Sequence, residues 1–244
     1  MVLENTKTPA RLTAPTASKL PRQALLWVGL AYVLFGLFFR DAWKTDDATG
    51  LATILTAFTE GGHALFAPYI GATPFVEHGP LLSWVAYIFE LIFSPIFGLW
   101  MSPLDAQITA ARLPNLLYFY IILYGAWYGC YLLARRPECQ PLPLPFGGEP
   151  DPRDYGRMLA DCAFLFIVAC FGIIMRLHET TFIPLLMACH SLAFYGFVRI
   201  FELPRQGFFF LIAGLAGSFF AAGLIGVFPP LVATLLLLTY HFYD

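Results

Sequence analysis

Of the chain's 244 residues, 59% are apolar, 17% aromatic and only 12% charged, whereas a soluble domain runs to about 45–50% apolar and about 25% charged. The mean hydropathy of +0.69 leaves too little polar surface to coat a globule, so the apolar excess faces a bilayer. A net charge of −2 supplies no basic surplus for a phosphate backbone, which argues against nucleic acid as a partner.

Residues 1–22 read as a cytoplasmic polar tail, with Lys7, Arg11, Lys19 and Arg22 against the single acid Glu4. The apolar run 24–39 has no small-x-small cleavage pattern behind it, so it is expected to stay as a transmembrane helix rather than be removed as a signal. Further apolar segments follow at 81–101, 113–134, 159–175, 182–201 and 208–240, the last broken by Pro229 and Pro230. A linker at 135–158 carries Arg135, Arg136, Arg153 and Arg157. Because cytoplasmic loops collect Lys and Arg, tail and linker belong on one side of the membrane, and an even number of crossings separates them. Three apolar segments lie between, so one does not cross. Segment 81–101 is the weakest, since Glu90 sits in its middle and Pro95 interrupts it; it is expected to lie along the interface.

The expected architecture is all-α: a polytopic membrane bundle of about five to six spanning helices occupying 23–244, with interfacial juxtamembrane helices in a first outer loop at 41–112. That loop is acidic, holding Asp41, Asp46, Asp47, Glu60, Glu77, Glu90 and Asp105. Within it, a helix over 48–60 places Leu51, Ile54, Leu55 and Phe58 on one face. Asp46 and Asp47 at its start have an ordinary role as first-turn acids. The company of Glu77 and His78 just before the next helix favours a site. Of the five cysteines, four lie in apolar runs and none forms a CxxC pair, so neither a metal knuckle nor a disulfide framework is expected.

An outward first helix, the pair Asp46-Asp47, the segment Glu77-His78-Gly79-Pro80-Leu81 with Trp84, and Ala110-Ala111-Arg112-Leu113-Pro114 together resemble the N-terminal membrane part of a GT-C glycosyltransferase. The closest likeness is to the branch of the lipid A aminoarabinose transferases and protein O-mannosyltransferases. The chain departs from that pattern with Asp-Asp for Asp-Glu and His-Gly-Pro for Lys-Pro-Pro, and it lacks the later Lys-Gly between 214 and 226. It is expected to be incomplete at its C-terminus.

The resemblance implies inverting transfer of a sugar from a polyprenyl-phosphate donor to a lipid, glycan or protein acceptor, at the periplasmic face of the cytoplasmic membrane. It implies Asp46 as the base with Asp47 as second carboxylate, and His78 and Arg112 against the donor phosphate. A divalent metal held by Asp46, Glu77 and His178 is a further expectation, with Glu179 in a place where the family keeps an acid. Bland roles stand beside these: Arg112 as a residue snorkelling to headgroups, and His178 capping the outer end of a helix. His63 and His190 read as structural. The alternative function is a non-catalytic membrane subunit or a carrier for lipid-linked sugars.

Overall fold

The computed structural model describes residues 20–35, 37–38, 41–42, 44–75, 77–142 and 149–243; most of the polar tail, Arg40 and the centre of the linker lie outside them. The described residues are helical almost throughout: α1 Arg22–Leu34, α2 Thr45–Glu60, α3 His63–Phe66, α4 Leu81–Phe97, α5 Pro103–Arg112, α6 Pro114–Ala134, α7 Pro152–Ala169, α8 Phe171–Leu177, α9 Phe182–Ile200 and α10 Pro204–Tyr243. A two-residue antiparallel pairing, β1 Tyr69–Ile70 with β2 Thr73–Pro74, lies between α3 and α4. Three stretches are long and apolar enough to cross a bilayer: α5 continued into α6 (Pro103–Ala134), α9, and α10 as far as Leu236. A fourth exists if α7 and α8 count as one bent span. The chain is an all-α integral membrane protein.

Segment 159–175 is not the single straight helix expected from its hydropathy. It breaks at Cys170, whose backbone is extended (φ −76°, ψ 101°), and α7 and α8 meet at 66°. The C-terminal apolar segment is interrupted as well, but not at its prolines. Ala222 and Gly223 leave helical geometry, Gly223 at φ +62° and ψ −147°, a conformation open to glycine and strained for other residues. Before that point Gly207 lies against Ile200 and Gly217 against Cys189, so this arm runs antiparallel to α9. Beyond it, Gly226 meets His190 and Thr234 faces a cavity shared with Phe197, so the second arm runs with α9. The chain reverses at 222–223.

Helix α6 packs against α1, α7 and α9. The largest buried cluster joins α2 (Leu51, Ile54), α4 (Leu82, Ala86), α6 (Tyr118, Ile122) and α9 (Leu185, Ala188). Interhelical close packing, rather than expulsion of water, is what holds such an assembly together in lipid. Polar clusters mark the two ends. The end of α6 near Arg135 carries an Arg135–Glu202 pair beside Arg199, while the end near Arg112 carries Asp46, Asp47 and Glu179. The charged residues expected inside and those expected outside are thus gathered at opposite ends of the same helices.

Candidate functional site

The register of α2 separates its two acids. Asp47 lies three, four and seven residues before Gly50, Leu51 and Ile54, all buried, and is itself fully buried. Asp46, about 100° round the helix, is 63% exposed along its side chain. Neither is a cap: the N-cap position belongs to Lys44 and makes no side-chain capping bond. Both acids still sit where the helix dipole favours negative charge.

Asp47 joins three elements. One oxygen accepts from Arg112 Nη2 at 2.8 Å, with both side chains fully buried, and the other accepts from the backbone N–H of Thr180 at 2.6 Å. Arg112 therefore lies beneath the cavity described below, paired with an acid, and reaching a phosphate there would break a buried ion pair. Three residues on, Asn115 donates to the carbonyls of Leu177 (2.8 Å) and Glu179 (3.0 Å). The start of α6 thereby fixes the turn between α8 and α9. Gly50 completes the junction: a Cβ there would lie 1.8 Å from the Thr180 carbonyl oxygen, so α2 approaches the turn this closely only because position 50 has no side chain.

Above that layer, exposed and half-exposed charges gather around a buried one. Lys44 Nζ donates to Glu179 Oε1 at 2.6 Å, and Arg176 Nη1 bridges Glu179 Oε2 (3.0 Å) and Asp46 Oδ2 (3.2 Å). Glu179 is fully buried between its two bases. Arg176 stands three residues before Glu179, but Lys44 lies 135 residues from Glu179 and Arg176 lies 130 from Asp46, so the sequence does not announce the set as a whole.

A cavity of about 100 Å³ opens beside this network. Asp46 and Thr49 of α2, Glu77 and His78 of the loop before α4, and Thr180 and Thr181 before α9 line it, with Phe75 and Phe182 as apolar walls. Of the three residues expected to meet as metal ligands, Asp46 and Glu77 line this concavity and His178 does not; His78 lines it instead. The hydroxyls of Thr180 and Thr181 are buried with no hydrogen-bond partner among the described residues. They stand at the N-terminus of α9, whose first amides have no intrahelical acceptor.

His78 is buried. Its Nδ1 faces the Gly79 carbonyl at 3.0 Å, which requires a proton on Nδ1, and its Nε2 lies 3.4 Å from Thr53 Oγ1. Burial pushes its pKa below the usual value, only partly offset by the Gly79 carbonyl and by Glu77. His78 is therefore neutral at pH 7 and does not supply the positive charge that a lysine would have brought to this position.

His178 is held elsewhere. Its Nε2 faces the carbonyls of Tyr32 and Val33, each at 3.2 Å, so it caps the last turn of α1. Among the described residues, no three His, Cys, Asp or Glu side chains gather as metal ligands. His190 donates from Nε2 to the Gly226 carbonyl at 2.7 Å, a contact within the bundle, and His63 is exposed at the start of α3.

Compared with known proteins, the chain matches no family model, no curated protein and no solved structure.

Proposed function

We propose that the chain is the membrane part of a glycosyltransferase of GT-C type, moving a sugar from a polyprenyl-phosphate donor to a lipid, glycan or protein hydroxyl on the outer face of the cytoplasmic membrane. The observation that carries the reading is the cavity in which an exposed carboxylate, Asp46, stands beside Glu77, two free threonine hydroxyls, two aromatic walls and the N-terminus of α9. Carboxylates, hydroxyls and aromatic faces are what a polyol needs for hydrogen bonding and stacking.

In this reading Asp46 accepts the proton of the acceptor hydroxyl while that oxygen bonds to the anomeric carbon. The bond from that carbon to the donor phosphate breaks, and its electron pair leaves on the phosphate oxygen. Arg176, 3.2 Å from Asp46, and the amides opening α9 oppose the charge that develops there. Asp47 and Arg112 act through position: they hold Thr180, and so the start of α9, against α2. No step is routed through a metal, because Asp46 and Glu77 share the cavity while His178 is committed to α1. The membrane arrangement belonging to this reading has five to six spans: α1, α6, α7 with α8, α9 and the two arms of α10, with α4 lying along the outer interface.

The test is transfer from a radiolabelled polyprenyl-phosphate sugar in reconstituted vesicles, with envelope lipids and proteins as acceptors. Asp46→Asn is expected to lower turnover by about 10²–10⁴-fold, the usual contribution of a positioned base, with thermal stability unchanged. Transfer at the wild-type rate by Asp46→Asn would remove Asp46 from the role of base, and no transfer by the wild-type chain would assign it to the carrier or subunit role instead.

A further inference from the structure

Between the start of α1, the middle of α6 and Phe164 of α7 lies a second concavity, of about 250 Å³, that shares no residue with the charged cavity. Leu26, Leu123 and Phe164 supply its apolar wall, Tyr124 and Trp127 its aromatic one, and Arg22 stands at its mouth. No acid is among the lining residues, and no ion pair among the described residues involves Arg22. Leu26 and Tyr124 are open to the surroundings, so the concavity faces lipid and is not sealed inside the bundle.

Its walls are fixed in advance. The nearby carboxylate, Asp161, is buried and already committed: one oxygen accepts from Trp127 Nε1 at 2.9 Å, the other from the backbone N–H of Leu20 at 2.9 Å. Arg157 donates to the Leu20 carbonyl at 2.9 Å. These three bonds clasp the start of α1 to α7 and lock the indole in place. Arg22 projects from the clasped segment with its charge unmatched among the described residues.

We propose that this groove binds one acyl chain of an anionic phospholipid whose phosphate is held by Arg22. An unmatched guanidinium recognises phosphate through paired N–H donors. Tyrosine and tryptophan rings at its side suit the boundary between headgroup and acyl chain, and the leucines and phenylalanine suit the chain itself. The site is independent of the sugar-transfer reading and shares no residue with it.

The experiment places a photoreactive p-benzoylphenylalanine at position 124, in vesicles of equimolar phosphatidylglycerol and phosphatidylcholine with the same acyl chains, and weighs the adducts by mass spectrometry. One arginine near a lipid surface is worth about 1 kcal/mol, so phosphatidylglycerol adducts are expected to exceed phosphatidylcholine adducts about fivefold, falling to about parity with Arg22→Gln. Parity with Arg22 present, a preference that survives Arg22→Gln, or cross-links to the chain's own peptides would each overturn the proposal. The same probe at position 26, on the exposed face of α1, reads the same ratio if the Tyr124 replacement fails to fold.

Discussion

Asp46 and Asp47 are neighbours in sequence and opposites in role, and the difference is one step of helical register. Removing Asp47 leaves Arg112 charged and buried and the Thr180 amide without its acceptor. Asp47→Ala is therefore expected to destabilise the protein by about 3–5 kcal/mol, the range for breaking one side of a buried pair, with Asp46→Ala near neutral; equilibrium unfolding in detergent measures both. Asp47's burial was legible: it shares a face with Leu51 and Ile54 at i+4 and i+7. The depth of Arg112 was not, since an arginine at a helix end is as well placed to snorkel as to pair, and only the position of α2 decides. A second buried acid behaves differently. Glu90 is fully buried on α4 with neither oxygen hydrogen-bonded among the described residues, and burial pushes its pKa up to about 8. A carboxyl raised above its unfolded value of 4.5 makes the folded state the better proton binder. Stability is fullest below 4.5 and declines as pH rises towards 8. Glu90→Gln is expected to flatten that decline, read as the melting temperature at pH 5 against pH 8.5.

Among the elements, α4 shows how a polar residue and a lipid-facing surface coexist on one helix. Ser83, Ala86 and Glu90 lie on its buried side, and α5 packs against it. Ile88, Leu91, Ile92 and Ile96 line the other side and are exposed, continuing into Leu99 and Trp100. An exposed apolar stripe opposite a side that buries a carboxyl suits a position in the plane of the interface. A spin label at position 88 is expected to report shallow depth in the acyl region, and a midplane reading would reject this placement. Pro95 and Glu90 are the sequence features behind the expectation that this helix lies along the interface, and the burial of Glu90 was not legible from them. The bends at Cys170 and at 222–223 were not legible either, because hydropathy is blind to backbone direction: a run of apolar residues reads alike whether it continues or turns back. Gly223 carried the only local signal, and it is one of many glycines in that stretch.

For the whole molecule, the gathering of Asp46, His78 and Glu179 at one end and Arg135, Arg199 and Glu202 at the other fits the sidedness that the basic residues imply. In a chain without its native cysteines, single cysteines at 46 and 77 are expected to react with an impermeant reagent from outside, while one at 140 is protected; labelling at 140 would invert the orientation. The gathering of charges at two opposite ends was legible in the sequence, since it depends on where charges fall between apolar runs. The site was less legible, since Lys44, Arg176, Thr180 and Asn115 join it through contacts between distant segments. One feature of that site bears on how a donor reaches it. Three bases, Lys44, Arg112 and Arg176, are matched by three acids, Asp46, Asp47 and Glu179, and Glu77 at the rim tips the balance to negative while His78 stays uncharged. Such a site has no long-range pull on an anion dissolved in water. In the sugar-transfer reading proposed above, the phosphorylated donor is delivered by its own hydrocarbon tail, travelling sideways in two dimensions, so ionic strength has little grip on the rate of encounter.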